Sequence, residues 1–176
     1  MSGALDELQQ ELGAVLAGLD AEAVQYRPSA DGWSIQQIAE HLLRTYDLTL
    51  GQVEEQLLTG HPGEKQATAR QITMQLAVTK LGYFTHGRRA PESLVPRAVL
   101  PIESGDAIFA RMVARLSALR MIFLEAESAF GQKPCASHHV LGPMGVESWR
   151  CFHRVHGRHH IKQIIAIREE LGSGKG

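Results

Sequence analysis

The chain has only two cysteines, Cys135 and Cys151, in 176 residues. A secreted scaffold held by disulfides carries more thiols at more regular spacing, so two reduced thiols are expected. Charge of one sign is also lacking. Lysine and arginine number 18 against 19 aspartates and glutamates, a net charge of −1. That balance excludes a basic, phosphate-seeking surface and with it nucleic acid as a partner. No apolar run approaches the ~18 residues that span a bilayer, and the opening MSGALDELQQELGAV lacks the basic and apolar regions of a secretory signal. A cytoplasmic protein without membrane association is the resulting expectation. Aromatic residues are scarce, at 6%. No internal repeat, low-complexity block or strand-period segment is visible.

What the chain does have is helical period and histidine. Apolar residues recur every three or four positions almost throughout, which predicts an all-α fold. Leu5, Leu8, Leu12, Val15 and Leu19 mark a first helix over about 3–19, followed by a loop from Asp20 to Gly32. Ser34 and Gln37 form a capping box that opens a second helix. Its buried line is Ile35, Ile38, Leu42, Tyr46, Val53 and Leu57, and the Gly60–Gly63 turn ends it. A third helix is expected from about Glu64 to Phe84, with Ile72, Leu76, Thr79 and Tyr83 inward. Pro91, Pro96 and Pro101 recur every five residues, so about 86–105 cannot be a regular helix. A connection that long often borders a site. A fourth helix begins near Asp106 and carries Phe109, Met112, Leu116, Leu119, Phe123, Ala126 and Phe130. A second loop follows from Gly131 to Gly145, then a last helix over about 146–171. The expected architecture is a four-helix bundle with one extra helix or irregular segment. It forms a single domain over 1–171, with 172–176 as a flexible tail.

Nine histidines are many for this composition, and six of them lie between His138 and His160. The core-facing line of the last helix reads Trp149, Phe152, His156, His160, Ile164, Ile167 and Leu171. His156 and His160 stand at i and i+4, so one helix offers two imidazoles to one ion, as in HExxH zinc sites. His153 lies on nearly the same face and is an alternative ligand beside His156. His159 is rotated by about 100° and turns aside. The third ligand must come from another helix, and His41, on the edge of the second helix's buried line, is the best candidate. His86, His138 and His139 lie near loops, and His61 belongs to a turn. Three histidines leave coordination positions open, the layout of a catalytic site. The residue after His156 is Gly157, where a zincin has its general-base glutamate, so a peptidase of that type is disfavoured. Glu40, beside His41, points about 100° away from it.

Two segments then carry a resemblance. DGWSIQQIAEHLLRTY, with a tryptophan eight residues before a helical histidine, resembles the start of the DinB/YfiT-like superfamily. HHVLGPMGVESWRCFHRVHGRHHIKQI resembles its ending, a proline- and glycine-bearing loop and then H-x-x-H-H-x-x-Q-I. The resemblance implies a four-helix bundle that holds a divalent transition metal, zinc or nickel, on His41, His156 and His160. It places Gln163 and His159 beside the ligands rather than among them, and Trp33 at the helix start beneath the site. It implies an enzyme that activates a thiol or a water on the metal. Family members include bacillithiol S-transferases, a mycothiol-dependent maleylpyruvate isomerase and proteins described as metal-dependent hydrolases. A low-molecular-weight thiol cosubstrate, a small-molecule substrate and a homodimer follow from the same resemblance, and leftover apolar side chains such as Leu81 and Phe84 offer a pairing surface. The alternative is a non-catalytic metal-binding or protein-interaction bundle, in which Arg88 and Arg89, or Arg111, Arg115 and Arg120, meet a partner. The Pro-interrupted stretch departs from the plainest family members.

Overall fold

The computed structural model describes residues 3–63, 65–82, 90–97 and 101–173. The fold is predominantly α-helical, as expected. Helix α1 (Ala4–Leu16) starts where the Asp6 carboxylate accepts the Gly3 N–H. It buries Leu5, Leu8, Leu12 and Leu16, one leucine per turn. The predicted loop after it contains a short helix, α2 (Ala21–Gln25), because Asp20 caps the Ala23 N–H at 2.8 Å. Helix α3 (Ile35–Thr59) opens on the Ser34/Gln37 capping box and stops at Gly60, whose φ of 69° favours glycine.

Helix α4 spans only Ala69–Leu81, between a Thr68/Gln71 capping box and Gly82. The expected inward line was misphased there. Ile72 and Leu76 are half exposed, and Val78 is the buried residue. Polar Gln75 faces inward instead and donates to the Leu141 and Pro143 carbonyls. Tyr83, Phe84, His86, Arg88 and Arg89 lie outside the described residues. Within the Pro-rich stretch, Glu92–Leu94 makes one 3₁₀ turn.

Helix α5 (Gly105–Phe130) follows the Ser104 cap, and α6 runs over Val146–Ser173. Gly172 and Ser173 therefore belong to the last helix rather than to a tail. Between α5 and α6 the expected loop contains a hairpin. Strand β1 (Ala136–His138) pairs antiparallel with β2 (Gly142–Met144), in strands too short for a two-residue period to register. The helices α1, α3, α5 and α6 form the bundle, with α3 against α5, α1 against α5 and α6, and α4 laid on α6. Glycine sets one of these contacts. A Cβ on Gly157 would run into the Leu8 side chain, so α1 presses directly on α6 one residue past His156. A glutamate there would first have to displace the buried Leu8 side chain.

Candidate metal centre

His41, His156 and His160 are all buried, and one ring nitrogen from each falls within 4.8 Å of the other two. The Nε2 of His156 is 3.2 Å from that of His41 and 3.1 Å from that of His160. The i, i+4 spacing on α6 brings the last two together, and packing of α3 beside α6 delivers the first.

The outer nitrogens fix how these rings are protonated. His41 Nδ1 lies 2.9 Å from the Leu94 carbonyl oxygen, which only accepts, so Nδ1 carries the hydrogen. His160 Nδ1 donates in the same way to Gln163 Oε1 at 2.8 Å. Both rings therefore aim an Nε2 lone pair at His156. A single hydrogen on His156 Nε2 satisfies one of these lone pairs and leaves the other unmatched. A charged ring is disfavoured. Burial first, and the neighbouring imidazoles second, lower the pKa of His156 well below normal and push His160 down to about 3. Burial also lowers that of His41, against the opposing pull of the Leu94 carbonyl.

A divalent cation could resolve the conflict by accepting a lone pair from each ring. The two spacings to His156, 3.2 and 3.1 Å, suit one ion. Two nitrogens bound to one ion at ~2.1 Å stand about 3.0–3.4 Å apart for right or tetrahedral angles. The donor set is all imidazole, which suits zinc, nickel, copper or iron. Aromatic rings hold the imidazoles in place. Phe152 stacks on His156 at 5.3 Å, and Trp33 lies 5.2 Å from His41 and 6.5 Å from His160.

The other histidines fall elsewhere. His159 is half buried, edge-on to His160 at 5.1 Å, and contributes no nitrogen to the converging group. His153 is completely buried but lies away from the group, against Tyr46, Trp149 and Phe152. Its two ring nitrogens and the Tyr46 hydroxyl have no hydrogen-bond partner among the described residues. His138 caps the hairpin turn, accepting the Val140 and Leu141 N–H groups on Nδ1 at 3.1 Å each. His61 is exposed after α3, and His139 is exposed beside His138. Glu40 turns to Arg44 and Arg111, away from the imidazoles. Arg111, Arg115 and Arg120 pair with Glu103, Asp47 and Asp6, a salt-bridged surface.

One contributor escaped sequence reasoning. The Leu94 carbonyl belongs to the Pro-interrupted stretch, and backbone oxygens carry no sequence signature. The proline spacing was the available signal, because prolines remove N–H donors and stop a helix, which leaves nearby carbonyls without backbone partners. The chain's own thiols are poor nucleophiles. Burial pushes Cys135 up to about 11, and burial together with Glu147 raises Cys151.

No curated protein and no solved structure matches the chain. The family model of the DinB superfamily matches residues 4–164, nearly its whole length and both segments that bear the histidines. By that match the chain belongs to the DinB superfamily.

Proposed function

We propose that the protein is a metal-dependent enzyme in which His41, His156 and His160 hold a divalent transition metal, zinc or nickel, and an open coordination position binds a thiol or a water. The observation that carries this reading is the unresolved proton count. Two Nε2 lone pairs are fixed by Leu94 and Gln163, and both point at a third imidazole that burial keeps neutral. Bound metal supplies Lewis acidity, which turns a thiol into a thiolate or water into hydroxide near neutral pH. Family membership supports the same chemistry.

Of the two reaction types, thiol transfer to an electrophile fits the residues better than hydrolysis. Among the described residues no carboxylate joins the three imidazoles, and Glu40 is engaged by Arg44 and Arg111, which disfavours an acidic base for a water proton. With Cys135 and Cys151 both raised in pKa, the reacting thiol comes from a low-molecular-weight cosubstrate. The substrate is a small electrophile, the working form a homodimer, and the compartment the cytoplasm.

The test uses protein purified without a histidine tag. Metal content by mass spectrometry should approach one equivalent after incubation with zinc or nickel. Conjugation of a small electrophile should then proceed with at least one of several low-molecular-weight thiols. Less than about 0.1 equivalent of metal sinks the metal reading. Full metal without turnover of any thiol or ester leaves the non-catalytic bundle as the function.

A further inference from the structure

Four described carbonyls of the Pro-rich stretch accept hydrogen bonds from side chains of α3. Gln36 Nε2 donates to the Pro101 carbonyl, and Gln37 Nε2 to that of Arg97 at 3.3 Å. His41 Nδ1 donates to Leu94 at 2.9 Å, and Arg44 Nη1 to Ser93 at 3.2 Å. Four donors within about two helical turns thus hold this strap, two of them at its 3₁₀ turn.

Like Gln37, whose Oε1 accepts the Ser34 N–H, Arg44 is held by a second contact. Its Nε is 3.0 Å from Glu40 Oε1, and Glu40 Oε2 is 3.5 Å from Arg111 Nη2. Arg111 in turn holds Glu103, just past the strap, at 2.5 Å. The guanidinium forks between a carboxylate on its own helix and a carbonyl one residue before Leu94. A chain of contacts therefore runs from α5 through Glu40 and Arg44 to the peptide that faces His41.

We propose that Arg44 is a positioning residue for the metal centre. By holding the Ser93 carbonyl it sets the Leu94 carbonyl against His41 Nδ1, and so fixes which His41 nitrogen faces His156 and His160. The proposal rests on the metal reading above for its consequence, but not for its geometry. Outer partners of ligating histidines commonly change metal affinity by about 10–100-fold, and an arginine acting through one carbonyl should fall near the lower end.

The experiment follows ring-nitrogen NMR of His41 in metal-free protein, zinc affinity by chelator competition, and thermal stability. Arg44→Ala should lower the fraction of His41 with hydrogen on Nδ1 and weaken zinc binding about ten-fold. Arg44→Lys, which gives up the fork, should recover only part of both. Arg115→Ala removes a neighbouring surface arginine that pairs with Asp47 and should change neither. A lowered melting temperature with unchanged His41 tautomer and zinc affinity would make Arg44 a purely structural staple and overturn the proposal. If the wild type takes up no zinc, the metal reading fails, and the tautomer shift alone decides whether Arg44 positions His41.

Discussion

His153 and His156 stand one turn apart on α6, both sealed from solvent, and their surroundings oppose each other. His156 meets two imidazoles whose outer nitrogens are tied down by Leu94 and Gln163. His153 sits in a box of Tyr46, Phe123, Trp149 and Phe152, with no hydrogen-bond partner for either nitrogen among the described residues. Burial and residue type are the same at both positions, so neither defines a metal site. What distinguishes His156 is that its neighbours' lone pairs are aimed, and they are aimed from outside the triad.

The largest expected break in this comparison is removal of a converging imidazole. His156→Ala or His160→Ala should abolish stoichiometric zinc uptake measured by mass spectrometry, and His41→Ala should do the same. His153→Leu should retain it. Zinc lost equally from His153→Leu would place the ion elsewhere on α6.

A smaller effect is expected where the aim alone is disturbed. Gln163→Leu keeps all three imidazoles and frees His160 to take its other tautomer. Zinc affinity should fall about 10–100-fold, roughly 1.4–2.7 kcal/mol, by chelator competition. An unchanged affinity would mean that packing against Trp33 suffices to orient the His160 ring.

His153 itself predicts a pH dependence. Burial pushes its folded pKa down to about 3, from 6.5 in an unfolded chain. Between those values the unfolded state binds more protons, so stability rises with pH there. The full contribution is present above about 6.5 and is lost as pH falls toward 3, at no more than about 1.4 kcal/mol per unit. His138, lowered to about 4 by burial and by His139, adds to the same loss. His153→Leu should flatten the acid limb of the stability curve in urea titrations of metal-free protein at pH 7, 6 and 5. The difference between variant and wild type should grow as pH falls. A constant difference would show that His153 finds a partner in solution that keeps its pKa near normal.

How much of this was legible in the sequence depends on which kind of atom carried the information. The bundle was legible because α1, α3, α5 and α6 each bury a stripe at helical period. Their start signals were explicit at Ser34 and in part elsewhere. Helix α4 was legible as a helix but not in its inward face, because it packs on the outside of α6. A helix with one covered side can turn Gln75 inward and leave Ile72 and Leu76 half exposed. The hairpin was missed because three-residue strands carry too few positions to show alternation. At the site, spacing on α6 put His156 and His160 on its core-facing line, and the structure brings His41 to them. The same spacing could not separate His153 from His160 as partner of His156. That separation lies in tertiary packing, in whether a ring meets Tyr46 and Trp149 or meets His41.

The smallest expected effect comes from His159, and it tests the helical argument most directly. His159 is a histidine adjacent in sequence to His160 and 5.1 Å from it ring to ring, close enough for a ligand role by proximity alone. Its direction argues otherwise. One residue along a helix is a rotation of about 100°, so the ring that neighbours His160 cannot share its line of approach. His159→Ala should therefore leave zinc stoichiometry at one and change affinity by less than about three-fold, since it removes only a nearby imidazole at the rim. If His159→Ala weakened binding as much as Gln163→Leu does, the rim ring would be acting on the ion. The distinction between aimed and merely neighbouring imidazoles would then have to be redrawn to include it.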